Sequence, residues 1–214
     1  MTNVDKQVLK EVLKEKFENL KEKFENNDCK FDQKIYNEIT KLLQQQRYGE
    51  ESKIVNEIID IFPNNKNLTK VYAKVLIVNT THSTRINGIH CIEVAKDIVK
   101  FDKFNKFDER LKNGDIKLVD ELIEQTYENE HIKKHLWSFY PKYLACHNDK
   151  FSKYDHYVGD YVEKRSKLLG LEKFEKRIGK FYENYHNAIT EIINKDGFPD
   201  RQTFDTFIWA LYRK

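Results

Sequence analysis

The sequence predicts an all-α fold, and three observations carry that reading. Apolar residues recur at helical spacing through nearly every segment between turn signals. Only 7 glycines and 3 prolines occur in 214 residues, few for the many turns of an all-β domain. The chain is rich in charge, at 34% Asp, Glu, Lys and Arg, yet 14 Phe, 12 Tyr and 2 Trp supply material for a core, which a disordered chain lacks. The expectation is one compact domain over residues 1–214 with about nine or ten helices.

The elements follow in order. Residues 4–25 place Val8, Leu9, Val12, Leu13, Phe17, Leu20 and Phe24 on one broad stripe. Lys-Glu-Lys-Phe-Glu-Asn occurs there at 14–19 and again at 21–26. Two copies fall short of a coiled coil, so one long amphipathic helix is expected. Residues 33–46 and 51–61 give two more helices, and Pro63-Asn64-Asn65 marks a turn. Residues 67–79 are almost continuously apolar and β-branched. A buried strand fits them, but helical spacing and helical neighbours favour a central buried helix. A helix from Ser83 carries Ile86, Ile89, Ile92, Ala95, Ile98 and Val99. Gly114 ends a short helix, and Asp115 caps the next, through Tyr127. Further helices are expected at 132–146, 156–168, 172–195 and 200–213, the last opened by Pro199-Asp200.

Composition excludes several classes. No apolar run approaches the length of a membrane span, and the first residues lack the apolar block of a signal peptide. Cys29, Cys91 and Cys146 are widely spaced and odd in number, which fits a reducing cytoplasm and excludes a four-thiolate cluster. A phosphate-binding glycine loop, a nucleophile elbow and a dinucleotide fingerprint are all absent. His131 and His135 stand at i, i+4, a spacing that can chelate a metal or simply mark two surface histidines. The net charge of +3 conceals an excess of +6 between Lys133 and Lys180, where nine aromatics are interleaved. That mixture suits a phosphate-bearing partner, and equally a set of solvated helix faces over aromatic core stripes.

Two constellations carry chemistry. Lys142 and Asp155 lie at the end of one expected helix and the start of the next, within WSFYPKYLACHNDKFSKYDHYV (137–158). An amine among aromatics loses hydration, which favours the neutral form a nucleophile needs. The same two residues also fit a surface charge and a helix-capping aspartate. The second constellation is NTTHSTRINGI (79–89), a polar turn after a buried helix, with Arg85 one turn into the next. Such a turn can present amides and polar tips to phosphate or bases, or be an ordinary capped connection.

In this order, on an all-α background, the two segments resemble the helix-hairpin-helix DNA glycosylase superfamily, nearest its 8-oxoguanine glycosylase-like branch. The resemblance spans roughly residues 67–214, with residues 1–66 as added N-terminal helices. Asn79, Thr80, Thr81 and His82 fall on the superfamily's minor-groove wedge, and Arg85-Ile86-Asn87-Gly88 on the arginine segment after it. Tyr154-Asp155-His156-Tyr157-Val158 matches the superfamily's catalytic aspartate pattern in its Asp and final Val, and Lys142 falls near the catalytic lysine. Two departures stand out. No glycine occurs between Gly114 and Gly159, and Phe139-Tyr140-Pro141 occupy the place of the hairpin glycines that grip phosphate. The 13 positions from Lys142 to Asp155 are also fewer than usual.

The resemblance implies a monomeric enzyme, without cofactor, that extrudes a base from double-stranded DNA and cleaves its glycosidic bond. Asp155 would stabilise the cationic sugar, and Lys142 would attack C1′, form a Schiff base and permit β-elimination. Trp137, Tyr140 and Trp209 are candidates to stack on the base. Lys133, Lys134, Lys150, Lys153, Lys164 and Arg165 are candidates for phosphate contacts. Two alternatives stay open: a binding module without chemistry, and a glycosylase acting on hypermodified phage DNA.

Overall fold

The computed structural model describes residues 3–45, 48–171 and 181–213. Among them are eleven helices and no strand. They are α1 (Asn3–Asn26), α2 (Gln33–Gln45), α3 (Tyr48–Ile61), α4 (Leu68–Thr81), α5 (Gly88–Asn105), α6 (Phe107–Asn113), α7 (Lys117–Glu128), α8 (Phe139–His147), α9 (His156–Leu168), α10 (Phe181–Asp196) and α11 (Arg201–Tyr212). The all-α expectation holds, with more helices than the nine or ten expected. Residues 172–180 of the expected 172–195 helix, and Gln46 of the expected 33–46 helix, lie outside the described residues.

Local chemistry sets the boundaries. Asn67 caps α4 by accepting from the Lys70 amide at 3.1 Å, and Asp200 caps α11 through the Thr203 amide at 2.7 Å. Residues 67–79 therefore belong to a helix, with Val71, Val75 and Val78 fully buried. Gly114 closes α6 in the left-handed region, at φ 74°, where a side chain would be strained. Asp115 accepts from the Lys117 amide at 3.2 Å at the start of α7.

Three expectations change. In α1, Leu13, Phe17, Leu20 and Phe24 are buried but Val12 is exposed, so the stripe is narrower than expected; the side chains of Val8 and Leu9 lie outside the described set. Helix α5 starts at Gly88, not Ser83, because Asn87 is the residue that caps it. Residues 132–138 are not helical. Asn129 accepts from the His131 amide at 3.0 Å and ties the segment to α5 through Asp97, and Lys133 then turns left-handed at φ 44°. His131 and His135 therefore share no helix face. His135 stacks between Tyr127 and Trp137, at 4.0 and 4.9 Å.

Packing brings the two ends of the chain together. Helices α9, α10 and α11 pack on one another, and α1 and α2 return to pack on α11. Phe24 is fully buried there, with the Phe207 ring 4.9 Å away and Phe198 and Tyr161 around it. Burying such a ring contributes roughly 2–3 kcal/mol. Helices α3 to α8 form the other half, with α4 against α5 and α8, and α7 against α5, α8 and α10. Arg165 fastens the ends of α1, α9 and α10: it donates to Asp196 at 2.7 and 2.9 Å and to the Asp28 carbonyl at 2.8 Å. It is only 4% exposed, so it is a structural clamp and not a phosphate contact. No described helix is long and apolar enough to cross a membrane.

Candidate active site

Lys142 and Asp155 meet. Helix α8 carries Pro141 in its first turn, where no intrahelical N–H is lost. Lys142 follows it, and its Nζ lies 3.1 Å from Asp155 Oδ2. The same Nζ donates to the His82 carbonyl at 3.3 Å, at the C-terminal end of α4, where a cation complements the helix dipole. Asp155 has extended backbone and caps α9, its Oδ1 accepting from the Tyr157 amide at 3.0 Å. One carboxylate oxygen thus holds the helix and the other holds the amine. The side chains are 8% and 21% exposed, so the pair sits at an opening.

That opening is a pocket of about 730 Å³. Its walls come from α2, the α4–α5 turn, α8, the segment before α9, and α11. The turn is strained, with Ser83 and Arg85 left-handed at φ 48° and 61°. Asn79 staples it: the side-chain oxygen accepts from the Thr84 hydroxyl at 2.7 Å and the Ile86 amide at 2.9 Å, and Nδ2 donates to the Ile86 carbonyl at 2.9 Å. Arg85 is exposed on the rim, before α5 rather than inside it. Two buried tyrosines of α10 fix the opposite wall. Tyr182 donates to the Ser152 carbonyl at 2.9 Å and Tyr185 to the Lys153 carbonyl at 2.8 Å. Gly159 leaves room for the Tyr154 ring, since a Cβ there would lie 2.9 Å from it.

The charges around the pocket are uneven. Burial pushes the His82 imidazole down to about 3, helped by Lys153 and Lys142, so it is neutral near pH 7. Its Nε2 lies 3.4 Å from Cys146 Sγ, and burial pushes that thiol up, so the pair is not a thiolate–imidazolium pair. Burial also raises the Asp205 carboxyl, against the pull of Lys153 and Lys142.

Of the residues singled out from the sequence, Thr81, His82, Arg85, Lys142, Lys153, Asp155 and Trp209 line the pocket. Asn79, Thr80, Lys150, Trp137 and Tyr140 do not. Asn79 shapes the turn from behind. Thr80 lies in the last turn of α4, exposed at the surface. The Lys150 stem packs over Gly114, and its amine lies 3.5 Å from the Asn113 carbonyl. Trp137 packs edge-on to Phe181 at 4.5 Å. Tyr140 is fully buried, with its hydroxyl bonded to Thr126, so no base can stack on it. Thr81 donates its hydroxyl to the Ile77 carbonyl at 2.8 Å, so it packs on α4 rather than projecting as a wedge tip.

Other wall residues carried no signal in the sequence. Thr40, Leu43 and Gln44 come from α2, so the first 66 residues help build the pocket. Asp205 and Thr206 come from α11, one turn before Trp209. Helical spacing from Trp209 was the one clue to Asp205. Among the described residues, no group of three or more His, Cys, Asp and Glu is placed to hold a metal ion.

Fold and site together define an all-α protein whose pocket joins an amine and a carboxylate at a helix N-terminus. A family model named HI_0787_N, described as an N-terminal domain, matches residues 32–151, and the chain belongs to that family. The match takes in α2 to α8 and Lys142, and ends four positions before Asp155. A Haemophilus influenzae protein, described as uncharacterized, is 33% identical over 142 residues, which cover 66% of this chain and 65% of that one. The chain thus spans just under two thirds of that relative's length. No solved structure matches it.

Proposed function

We propose that this protein is a DNA glycosylase, acting as a monomer and without a cofactor on a modified or damaged base extruded from double-stranded DNA. The observation that carries this reading is the meeting of the Lys142 amine and the Asp155 carboxylate, 3.1 Å apart, on the wall of a pocket of about 730 Å³. Pockets on the order of 300–1,000 Å³ take ligands larger than a nucleobase. The strained, stapled turn with Arg85 at its rim supports this reading as the element that would probe the vacated base position.

The chemistry follows from the pair. An ionised Asp155, held at a helix N-terminus, stabilises the positive charge that grows on the sugar as the glycosidic bond lengthens. The Lys142 ammonium first gives a proton to solvent, and the free amine then bonds to C1′ as the base departs with the bonding electrons. Loss of a proton from that nitrogen and opening of the ring give a Schiff base, and β-elimination then nicks the strand. Lys153 and Arg85 supply phosphate contacts, so affinity falls as salt rises.

The test is borohydride trapping on duplexes carrying assorted damaged bases. Wild-type protein forms a covalent adduct, and Lys142→Gln, folded by circular dichroism, forms none. An adduct that survives in Lys142→Gln removes the lysine assignment. Base release without any adduct makes water the nucleophile.

A second reading has one observation in its favour. Phe139 and Tyr140, which stand where hairpin glycines would expose amides, are buried in the core. That favours a module that binds nucleic acid without cleaving it. Duplex binding with no base release from any of the damaged duplexes would establish it.

A further inference from the structure

We propose that Asp205 is the acid that protonates the departing base in this same pocket, and that the base it serves is a purine offering a ring nitrogen as acceptor. The proposal rests on the glycosylase reading. It adds a residue from a different wall with a different task.

Two features of position single out Asp205. It lines the pocket from α11, whereas α8 and the start of α9 supply the pair. Trp209, four positions on, lines the same pocket. Residues at i and i+4 share a helix face, so a base stacked on the Trp209 indole presents its edge to the Asp205 carboxyl. The third feature is its lack of partners. Both oxygens of Asp155 are engaged, one by Lys142 and one by the Tyr157 amide. Asp205 is half-buried and, among the described residues, has no hydrogen-bond or ion-pair partner. A half-buried carboxyl with no partner on a pocket wall is open to a ligand, and a substrate base is one.

The environment separates the two acids. Burial disfavours the Asp205 anion, Lys153 and Lys142 partly restore it, and Asp155 disfavours it again. Cys146 of α8 and Tyr185 of α10 also face it. His82, Arg85, Tyr154, His156 and Tyr157 complete the titratable lining, α2 adds only Thr40, Leu43 and Gln44, and Glu25 of α1 reaches α11 at Tyr212. A carboxyl whose burial favours the protonated form suits a proton donor.

The step balances. The Asp205 proton moves to a purine ring nitrogen, and the electrons of the C1′–N9 bond leave with the base, which departs neutral. The sugar carbon, now electron-poor, accepts the Lys142 nitrogen, and Asp205 regains its proton from solvent. A preformed abasic site has no base to protonate, so trapping on it needs Lys142 and not Asp205.

That difference supplies the test. Wild type, Asp205→Asn and Asp205→Glu are compared on duplexes holding 8-oxoguanine, hypoxanthine or uracil, and in borohydride trapping on a preformed abasic duplex. Asp205→Asn is expected to release purines about 100-fold more slowly or worse while trapping the abasic duplex within about twofold of wild type. The wild-type release rate falls as pH rises through the Asp205 titration; Asp205→Asn lacks that limb, and Asp205→Glu restores it. Unchanged purine release in Asp205→Asn overturns the proposal. So does an equal loss of abasic trapping, which marks a structural role. Wild type that traps abasic DNA but releases only uracil leaves the glycosylase reading standing and removes this one; wild type that releases no base removes both.

Discussion

Two lysines are buried among the described residues, and their surroundings could hardly differ more. Lys74 of α4 is completely enclosed. Its amine donates to the Asn64 carbonyl at 3.0 Å and to Asn65 Oδ1 at 2.7 Å, with His147 Nε2 at 3.4 Å. Asn65 is held in turn by Asp108 and by the Tyr143 hydroxyl. Among the described residues, no carboxylate forms an ion pair with Lys74 itself. Lys142 of α8 has a carboxylate partner and an opening to solvent. The first lysine knits the α3–α4 connection to α8 through neutral acceptors. The second is held ready at a wall. Burial alone does not single out an amine as a candidate; the proposed reading rests on a paired charge with access.

The largest expected effect breaks the pair on the open side. Asp155→Asn keeps a side chain that caps α9 as well as aspartate does, but removes the charge beside the sugar. Base release is expected to fall by at least about 100-fold, while stability drops by only roughly 1–2 kcal/mol, because Lys142 keeps the His82 carbonyl. Oligonucleotide cleavage under single turnover and chemical denaturation measure the two quantities. Full activity in this variant ends the functional reading of the pair.

The sealed side answers to pH instead. Burial pushes Lys74 down from an ordinary 10.5 to about 8, with Asp108 pulling the other way. Between those values the unfolded chain binds a proton that the native state has released. Native stability therefore rises with pH from about 8 to about 10.5 on account of this group. Lys74→Met is expected to lack that rise, so wild type gains on the order of 2–3 kcal/mol on the variant across the interval. At pH 7 the variant is less stable by roughly 1–3 kcal/mol, because the Asn64 carbonyl loses a donor. Urea denaturation from pH 7 to 10 measures both.

The sequence announced these regions unequally. The all-α fold was legible because apolar periodicity and caps such as Asn67 and Asp200 act locally. Lys142 and Asp155 were legible as a pair because consecutive helices hold them 13 positions apart, although Lys142 lies near the start of α8 and not at the end of the longer helix expected. The error at 132–138 came from a long-range tie, Asn129 to Asp97, that periodicity does not register. Tyr140 was misjudged because an aromatic near a site looks the same whether it faces the pocket or the core. The Lys74 cluster went unseen, since its members come from the α3–α4 turn, α4, α6 and α8. Asp205 and the α2 wall were hidden for the same reason: they reach the pocket only because α2 and α11 pack together.

The smallest expected effect asks whether the two lysines are independent. Tyr143 follows Lys142 on α8, about 100° further round the helix, which points one toward the sealed cluster and the other toward the pocket. The Tyr143 hydroxyl donates to Asn65 Oδ1 at 2.6 Å, an oxygen that Lys74 also serves. In Tyr143→Phe that oxygen keeps the lysine, so no buried acceptor is left bare and the loss is about 1 kcal/mol. The ring stays, so α8 keeps its packing and Lys142 its position. Borohydride trapping should then stay within about twofold of wild type, and the stability cost should add to that of Asp155→Asn within about 0.5 kcal/mol. A large loss of trapping in this variant would mean that α8 shifts as a unit, so that the enclosed lysine sets the position of the open one and the contrast between them is a coupling.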